Sequence, residues 1–281
     1  MKAKVVKKPK VNDESSLKEN KNVPYVTEPI TNIPEEEHDR FRGDVNPPRI
    51  ICIIPARSGS KGLTDKNIKP LHGKPLVWHT IEAVKNCGVP IQRILVSTDS
   101  QQYADIIDGW CGKGYVPFLR PGDLAYDSTP TYDVVMFNLN RLEEKYDVVL
   151  LLEPTSPLRT SQQITESLEQ LFRSKYRALV SVVNSEQCHP VLAFKMGRDG
   201  QLQPFDGSEY PAHPRRQALG KAYFMDGSIY ISFVDTYSQE KCFDHKNTLA
   251  YEVEPWQAIE VDYDYDLIQV DALLTWRKGI K

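Results

Sequence analysis

The stretch RIICIIPARSGSKG, residues 49–62, decides how this chain is read. Its first half is a continuous apolar run, the signature of a strand buried on both faces. Its second half is a loop of small residues that carries Arg57, Ser60 and Lys61, with Lys66 and Asn67 close behind. Small residues let backbone N–H groups close on a ligand, and the cations define that ligand as an anion. Three cations in so short a span suit a polyphosphate better than a single phosphate. The loop is neither of two familiar phosphate signatures. Lys61 precedes Gly62, so no Walker A sequence G-x-x-x-x-G-K-[ST] is present, and glycines 59 and 62 do not make G-x-G-x-x-G.

Outward from this stretch, strand and helix patterns alternate. RILVSTDS (93–100), YDVVLLLEP (146–154) and ALVSVV (178–183) read as strands, and 74–88, 100–112, 130–145 and 161–174 read as helices. Pro75 is expected at a first helical position and Gly88 at a helix end. The alternation predicts an α/β fold with a mostly parallel sheet covered on both faces. Right-handed crossovers then bring ligands to the carboxyl ends of the strands. Residues 55–62, 97–99, 120–121 and 153–159 should therefore meet at one sheet edge. Residues 189–222, rich in Gly, Pro and polar groups, read as an excursion, a β-rich arm. GSIYIS (227–232), LAYEV (249–253) and AIEVD (258–262) read as returning strands, and 264–278 as a closing helix.

Two further segments carry chemistry. In LLLEPTSPLRTS (150–161), two prolines force an extended loop straight after a buried strand. Glu153 falls at the mouth of that strand, where an unpaired carboxylate is costly. It should meet a cation, a metal or substrate hydroxyls, and Arg159 is one available cation. In AIEVDYDYDL (258–267), extended geometry sets Glu260 and Asp262 on one face, about 7 Å apart. Two carboxylates beside a polyphosphate loop make a magnesium site, completed by water and phosphate oxygens. Asp264 or Asp266 should cap the following helix. Asp99 fits either a helix cap or a ligand contact. Arg120 fits a phosphate or a base edge, and Asp127 or Ser128 fits a cap. Arg215, Arg216, Gln217 and Lys221 form a cationic cluster suited to a carboxylate-bearing substrate or to an interface rim.

Composition sets the outer bounds. The chain has 281 residues, 40% hydrophobic and 26% charged, with a formal charge of -3. No global basic field attracts nucleic acid, and no apolar run is long enough to span a membrane. The first residues lack the apolar core of a secretory signal. Five widely spaced cysteines at 52, 87, 111, 188 and 242 argue against a disulfide framework or zinc site, and for a reducing, cytoplasmic setting. Residues 1–46 are expected to be a disordered extension, whose KKPK is a nuclear-localisation fragment or a plain solvated tail. Residues 47–281 are expected to form the functional domain.

In combination, IIPARSGSKGLTDKNIKPLHGKPL, VSTDS, LRPGDLAYDST, LLLEPTSPLRT and DGSIYI resemble the acylneuraminate cytidylyltransferases. The resemblance runs in order from about 50 to 275. It implies a Rossmann-like nucleotidyltransferase fold, a homodimer, and a magnesium-dependent reaction of CTP with a 2-keto-3-deoxy sugar acid that yields the CMP-sugar and pyrophosphate. It implies that Arg57, Ser60, Lys61, Lys66 and Asn67 hold the triphosphate, with Arg120 and Thr131 near the nucleotide and Glu260 and Asp262 as the metal pair. Lys61, Arg57 and Asp262 would act in catalysis. The sugar pocket would draw on Glu153, Thr155, Ser156, Arg216, Gln217 and Lys221, with residues 189–222 as a dimerisation arm. Three departures from the family pattern, at four positions, stand out. Glu153 replaces a glutamine, Glu260 an aspartate, and Phe224 and Asp226 stand where an arginine and an asparagine are expected. These changes leave the sugar acid open between a sialate, a legionaminate-type relative and another ulosonate. The different-class alternative is an inactive nucleotide-binding regulator.

Overall fold

The computed structural model describes residues 47–184, 188–205, 207 and 219–279. The expected N-terminal extension, and Arg215, Arg216 and Gln217, lie outside the described residues. The element order begins with β1 (Ile50–Pro55), β2 (Pro70–Leu71), β3 (Lys74–Pro75), α1 (Leu76–Lys85), β4 (Arg93–Ser97) and α2 (Gln101–Cys111). It continues with α3 (Thr131–Arg141), β5 (Val148–Leu151), α4 (Ser161–Phe172), β6 (Ala178–Asn184) and the short hairpin β7 (Phe194–Met196) and β8 (Leu202–Pro204). It closes with β9 (Tyr223–Phe233), α5 (Val234–Glu240), β10 (Thr248–Val253) and α6 (Asp264–Gly279).

Six strands form the main sheet in the order β10-β6-β9-β5-β1-β4. Strand β1 pairs parallel with β4 and β5, and β10 parallel with β6. Strand β9 alone runs antiparallel, between β5 and β6. Alternation along β1 divides the core. Ile50, Cys52 and Ile54 face α1, α2 and α4 through Val77, Ile81, Ile107, Ile164 and Leu168. Ile51 and Ile53 face α3 and α5 through Val135, Leu139 and Tyr237. Each face is thus covered, which is why the strand reads as an unbroken apolar run. A third cluster seats α6, with Val261 and Val270 packing on Leu63, Leu71, Leu76 and Leu158. None of the described helices is long and apolar enough to cross a membrane, and all five cysteines are free thiols.

Four local readings are corrected. Residues 258–262 are not a strand. A single 3-10 turn at Pro255–Gln257 precedes them, and Val261 donates one backbone bond to the Thr155 carbonyl at 2.8 Å. Pro75 stands just before α1 rather than in its first turn, and Asn86 rather than Gly88 ends that helix. Asp99 is not a cap: Ser100 caps α2 by accepting from the Tyr103 N–H. Asp127 and Ser128 do not cap α3 either, since Pro130 precedes its first residue.

Arg159 ties the layers together from a position 5% exposed. Its Nε donates to the Ser228 carbonyl on β9 at 2.6 Å, and its Nη1 donates to Thr80 Oγ1 on α1 at 3.2 Å. Nη2 donates to the backbone carbonyl of Glu153 at 2.6 Å. The cation expected to neutralise the Glu153 side chain is therefore engaged by its main chain. Burial lowers the Arg159 pKa to about 10, which leaves it charged at neutral pH. Arg159→Leu keeps the bulk and leaves three acceptors without their donor. It should cost about 3–5 kcal/mol, read as a lower urea midpoint; an unchanged midpoint would reject this bracing role.

Candidate active site

The phosphate-loop candidate leaves β1 at Pro55 and is held in shape from below. The Asp99 carboxylate, just past β4, accepts from the Ser58 N–H at 2.8 Å and from the Ser58 hydroxyl at 2.6 Å. Burial opposes ionisation of Asp99, but the Ser58 donors outweigh it and hold its pKa below the usual carboxylate range. Asn67, 5% exposed, donates its side-chain amide to the Arg57 carbonyl at 3.0 Å. Gly59 takes φ +69°, a conformation that L side chains rarely adopt.

The loop's far end meets the acidic segment that precedes α6. A Cβ at Gly62 would lie 2.7 Å from the Asp262 carbonyl oxygen, so only glycine allows this backbone approach. Lys66 Nζ stands 2.7 Å from Asp262 Oδ1. Asp266 Oδ2 accepts from the Asp262 and Tyr263 N–H groups at 2.9 and 2.8 Å, and so takes the expected capping role ahead of α6. Lys66 and Glu260, almost two hundred positions apart, thus line one cleft of roughly 200 Å³. Arg57, Ser60, Lys66, Asn67, Arg120 and Thr131 line it, together with Glu153, Thr155 and Glu260. Arg57 and Lys61 both pair with Asp127, Lys61 at 2.6 Å while its side chain remains 83% exposed.

Arg120 is 4% exposed, and its Nε and Nη2 have no hydrogen-bond partner. Burial lowers its pKa, partly offset by Asp99. A buried guanidinium with idle donors at a cleft wall is built to receive an anion or a carbonyl acceptor. Opposite stand carboxylates. Burial first, then the charge of Glu260, raises the Glu153 pKa to about 7. Glu260 is also raised by burial, with Asp262 adding to the effect while the Thr155 hydroxyl, 3.0 Å from Oε1, opposes it. Ser156 is buried and its hydroxyl is unpartnered. Lys221 is exposed near the start of β9.

Sequence reasoning missed one contributor of position. Because β9 is antiparallel, its beginning rather than its end lies at the ligand edge. The register of β9 against β6 shifts between Val180 and Val182, a bulge that contains Asp226 and Gly227. Gly227 has φ +77°, and a Cβ there would sit 3.3 Å from Glu260 Oε2. The side-chain oxygens of Asp226, a residue 7% exposed, have no partner. The glycine that opens GSIYIS in a strand pattern was the available signal of a bulge.

Glu260 and Asp262 offer hard oxygen donors beside a cationic loop, the donor type magnesium takes. Among the described residues no three His, Cys, Asp or Glu side chains form a cage for a metal ion. The residues fit an ion held by one or two carboxylates and completed by phosphate and water.

The cytidylyltransferase family profile matches residues 51–269. The N-acylneuraminate cytidylyltransferase of Streptococcus agalactiae serotype V is 38% identical over 221 residues, which cover 78% of this chain and 52% of that relative. The CMP-N,N'-diacetyllegionaminic acid synthase of Legionella pneumophila is 32% identical, covering 81% of this chain and 93% of its own. The chain spans about half the length of the N-acylneuraminate cytidylyltransferases that it matches. In fold it is similar to CMP:2-keto-3-deoxy-manno-octonic acid synthetase solved with CTP, with TM-score 0.60 and 17% identity over 82% of this chain and 99% of that one. The profile match spans the cation-rich loop after β1 and the carboxylates that line the same cleft, and with these relatives it makes this chain a member of the cytidylyltransferase family.

Proposed function

We propose that the protein joins CTP to a nine-carbon 2-keto-3-deoxy sugar acid, an N-acylneuraminate or close relative, giving the CMP-sugar and pyrophosphate. The observation that carries this reading is the approach of Gly62 to the Asp262 backbone, which brings the cationic loop against the acidic segment. Arg57, Lys61 and Lys66 would bind the triphosphate, with Ser60 and the Asn67-braced loop supplying further donors. Arg120 and Thr131 would face the nucleotide. Thr155 and Ser156 would line the sugar side beside Glu153.

In the reaction, the anomeric hydroxyl oxygen of the sugar acid forms a bond to the α-phosphorus. The bond from that phosphorus to the bridging oxygen breaks in line, and pyrophosphate leaves. The chain orients two anions against their mutual repulsion and holds cations where charge accumulates. Bound at Glu260 and Asp262, magnesium would supply Lewis-acid neutralisation of phosphate charge. Asp262 would be the candidate to take the hydroxyl proton, through a water molecule.

Glu153 favours a second reading within this class, a legionaminate-type acid, since a carboxylate there accepts donors that a sialate need not carry. The relative from Legionella pneumophila, matched over 93% of its length, lends support to it. We also infer a homodimer formed through residues 189–222, whose described part exposes Met196, Leu202 and Phe205; Tyr223, Phe224 and Met225 at the start of β9 are exposed as well. Lys221 would then reach the partner's sugar pocket together with Arg216 and Gln217. The free thiols suit a cytoplasmic setting.

Pyrophosphate release from CTP with a panel of ulosonic acids tests the reaction. Turnover with one nonulosonate supports it, and CTP binding without turnover on any acid favours an inactive nucleotide-binding protein. Lys61→Ala should lower kcat/KM by roughly 10²–10³-fold, whereas near-normal activity would remove Lys61 from the triphosphate site.

Glu153 also yields a stability prediction. Its folded pKa lies above the unfolded value, so the unfolded chain releases the proton first as pH rises from 4.5 towards about 7. Stability is lost across that window, and the loss is complete above it. Glu153→Gln should remove this loss, raising the urea-derived stability at pH 8 by roughly 1–3 kcal/mol while leaving it nearly unchanged at pH 4. Equal effects at both pH values would reject the charge as the cause.

A further inference from the structure

Asp127 belongs to the segment between Arg120 and α3, outside the loop that carries the phosphate-binding cations. Its two carboxylate oxygens are divided between those cations. Oδ1 meets Arg57 Nη2, and Oδ2 meets Lys61 Nζ at 2.6 Å. Arg57 Nη1 is turned back onto the Gly59 carbonyl at 3.2 Å. One carboxylate thus bridges two cations as a phosphate group would. Asp127 also lines the cleft, as do Tyr126 and Thr129 of the same segment.

We infer that Asp127 is a resident stand-in for a phosphate group, which an incoming polyphosphate must displace from Arg57 and Lys61, and that it thereby sets how much anionic charge a ligand needs to bind. The inference rests on the reading that these two cations receive the triphosphate. The exchange is chemically symmetrical: one bridging anion leaves and another takes its donors. It favours ligands with several charges. A triphosphate or pyrophosphate can outcompete a single carboxylate tethered to the same protein, because it engages Lys66 as well. A nucleoside monophosphate, reaching fewer of these cations, cannot. The same carboxylate returns to the cations when pyrophosphate departs, which limits rebinding of that product. All three side chains are at least a quarter exposed, so each pair is screened by solvent and its displacement is cheap. The hydrogen bond from Lys61, with the charges of Arg57 and Lys61 adding to it, holds the Asp127 pKa below the usual carboxylate range.

The test compares affinities by calorimetry at low salt, with no sugar acid present. The ligands are CTP, inorganic pyrophosphate and CMP, and the proteins are wild type, Asp127→Asn, Asp127→Glu and Asp123→Asn. Asp123→Asn removes one negative charge from the same segment and controls for net charge. Asp127→Asn should bind CTP and pyrophosphate about three- to tenfold more tightly, with a much smaller change for CMP, and added salt should narrow the difference. Pyrophosphate should become a correspondingly stronger product inhibitor. Asp127→Glu, which restores the charge, should return affinity toward wild type.

Unchanged or weaker CTP binding by Asp127→Asn would overturn the inference, as would an equal gain in Asp123→Asn. A variant that lost its fold would weaken all three ligands alike, and its thermal midpoint would reveal it; Asp127→Glu, with the charge kept, then still has to bind as wild type does for the inference to stand. Lys61→Ala, measured alongside, separates the two levels of the argument. If it leaves CTP affinity unchanged, the triphosphate reading falls and this inference with it. If it weakens CTP binding while Asp127→Asn does not tighten it, only the present inference falls.

Discussion

One backbone approach governs the whole arrangement: the phosphate loop lies against the chain that precedes the last helix, close enough that only hydrogen fits at Gly62 Cα. Without that contact, Lys66 and Asp262 could not pair, and the cation-rich edge of the sheet would have no acidic wall opposite it. The contact is maintained from both sides. Leu63, just past the loop, and Val261, just before Asp262, share one apolar cluster with Leu158 and Val270. Val261 is also bonded to the Thr155 carbonyl. Hydrophobic burial thus fixes the separation of groups whose own charges would be poor at fixing it, because exposed ion pairs are weak and screened.

The cleft that results is electrostatically divided. Arg57, Lys61, Lys66 and Arg120 stand on the side of β1 and β4, and Glu153 and Glu260 on the side of β5 and the acidic segment. Asp127 pairs with Arg57 and Lys61, and Asp262 with Lys66, while the buried Arg120 keeps idle donors. The proposed magnesium-nucleotide complex would carry both signs of charge and so match this division. The raised pKa of Glu153 expresses the same division as a cost of folding, of the kind that accumulates where a site is built for a ligand.

Much of this was legible in the residues. The run at 50–54 announced a strand covered on both faces, and the cations expected after it line one cleft with Glu260. The segment of Glu260 and Asp262 turned out not to be a strand. What could not be read was partnership across the fold. Nothing local to Asp99 distinguishes a cap from the brace that it forms with Ser58. Arg159 looked like the counter-ion of the Glu153 side chain, yet its planar fork is filled by two carbonyls and the Thr80 hydroxyl. The reversed direction of β9 is likewise a property of topology, since an apolar strand reads the same from either end.

That reversal has a consequence for the site. In an all-parallel sheet only strand ends reach the ligand edge, and each contributes a loop that can drift. An antiparallel strand between β5 and β6 brings its first residues to the same edge while its later ones, Ile229, Ile231 and Phe233, are anchored in the core. The bulge near Gly227 bends the chain against the Glu260 carboxylate, and Ser181 stabilises it by accepting from the Ile229 N–H at 2.8 Å. Glu260 belongs to a segment with one ladder-like bond, anchored by the buried Val261 beside it and by the Thr155 hydroxyl at its own carboxylate. Gly227 faces that carboxylate, and its φ of +77°, which L side chains rarely adopt, accounts for glycine where strand propensity alone would favour a β-branched residue.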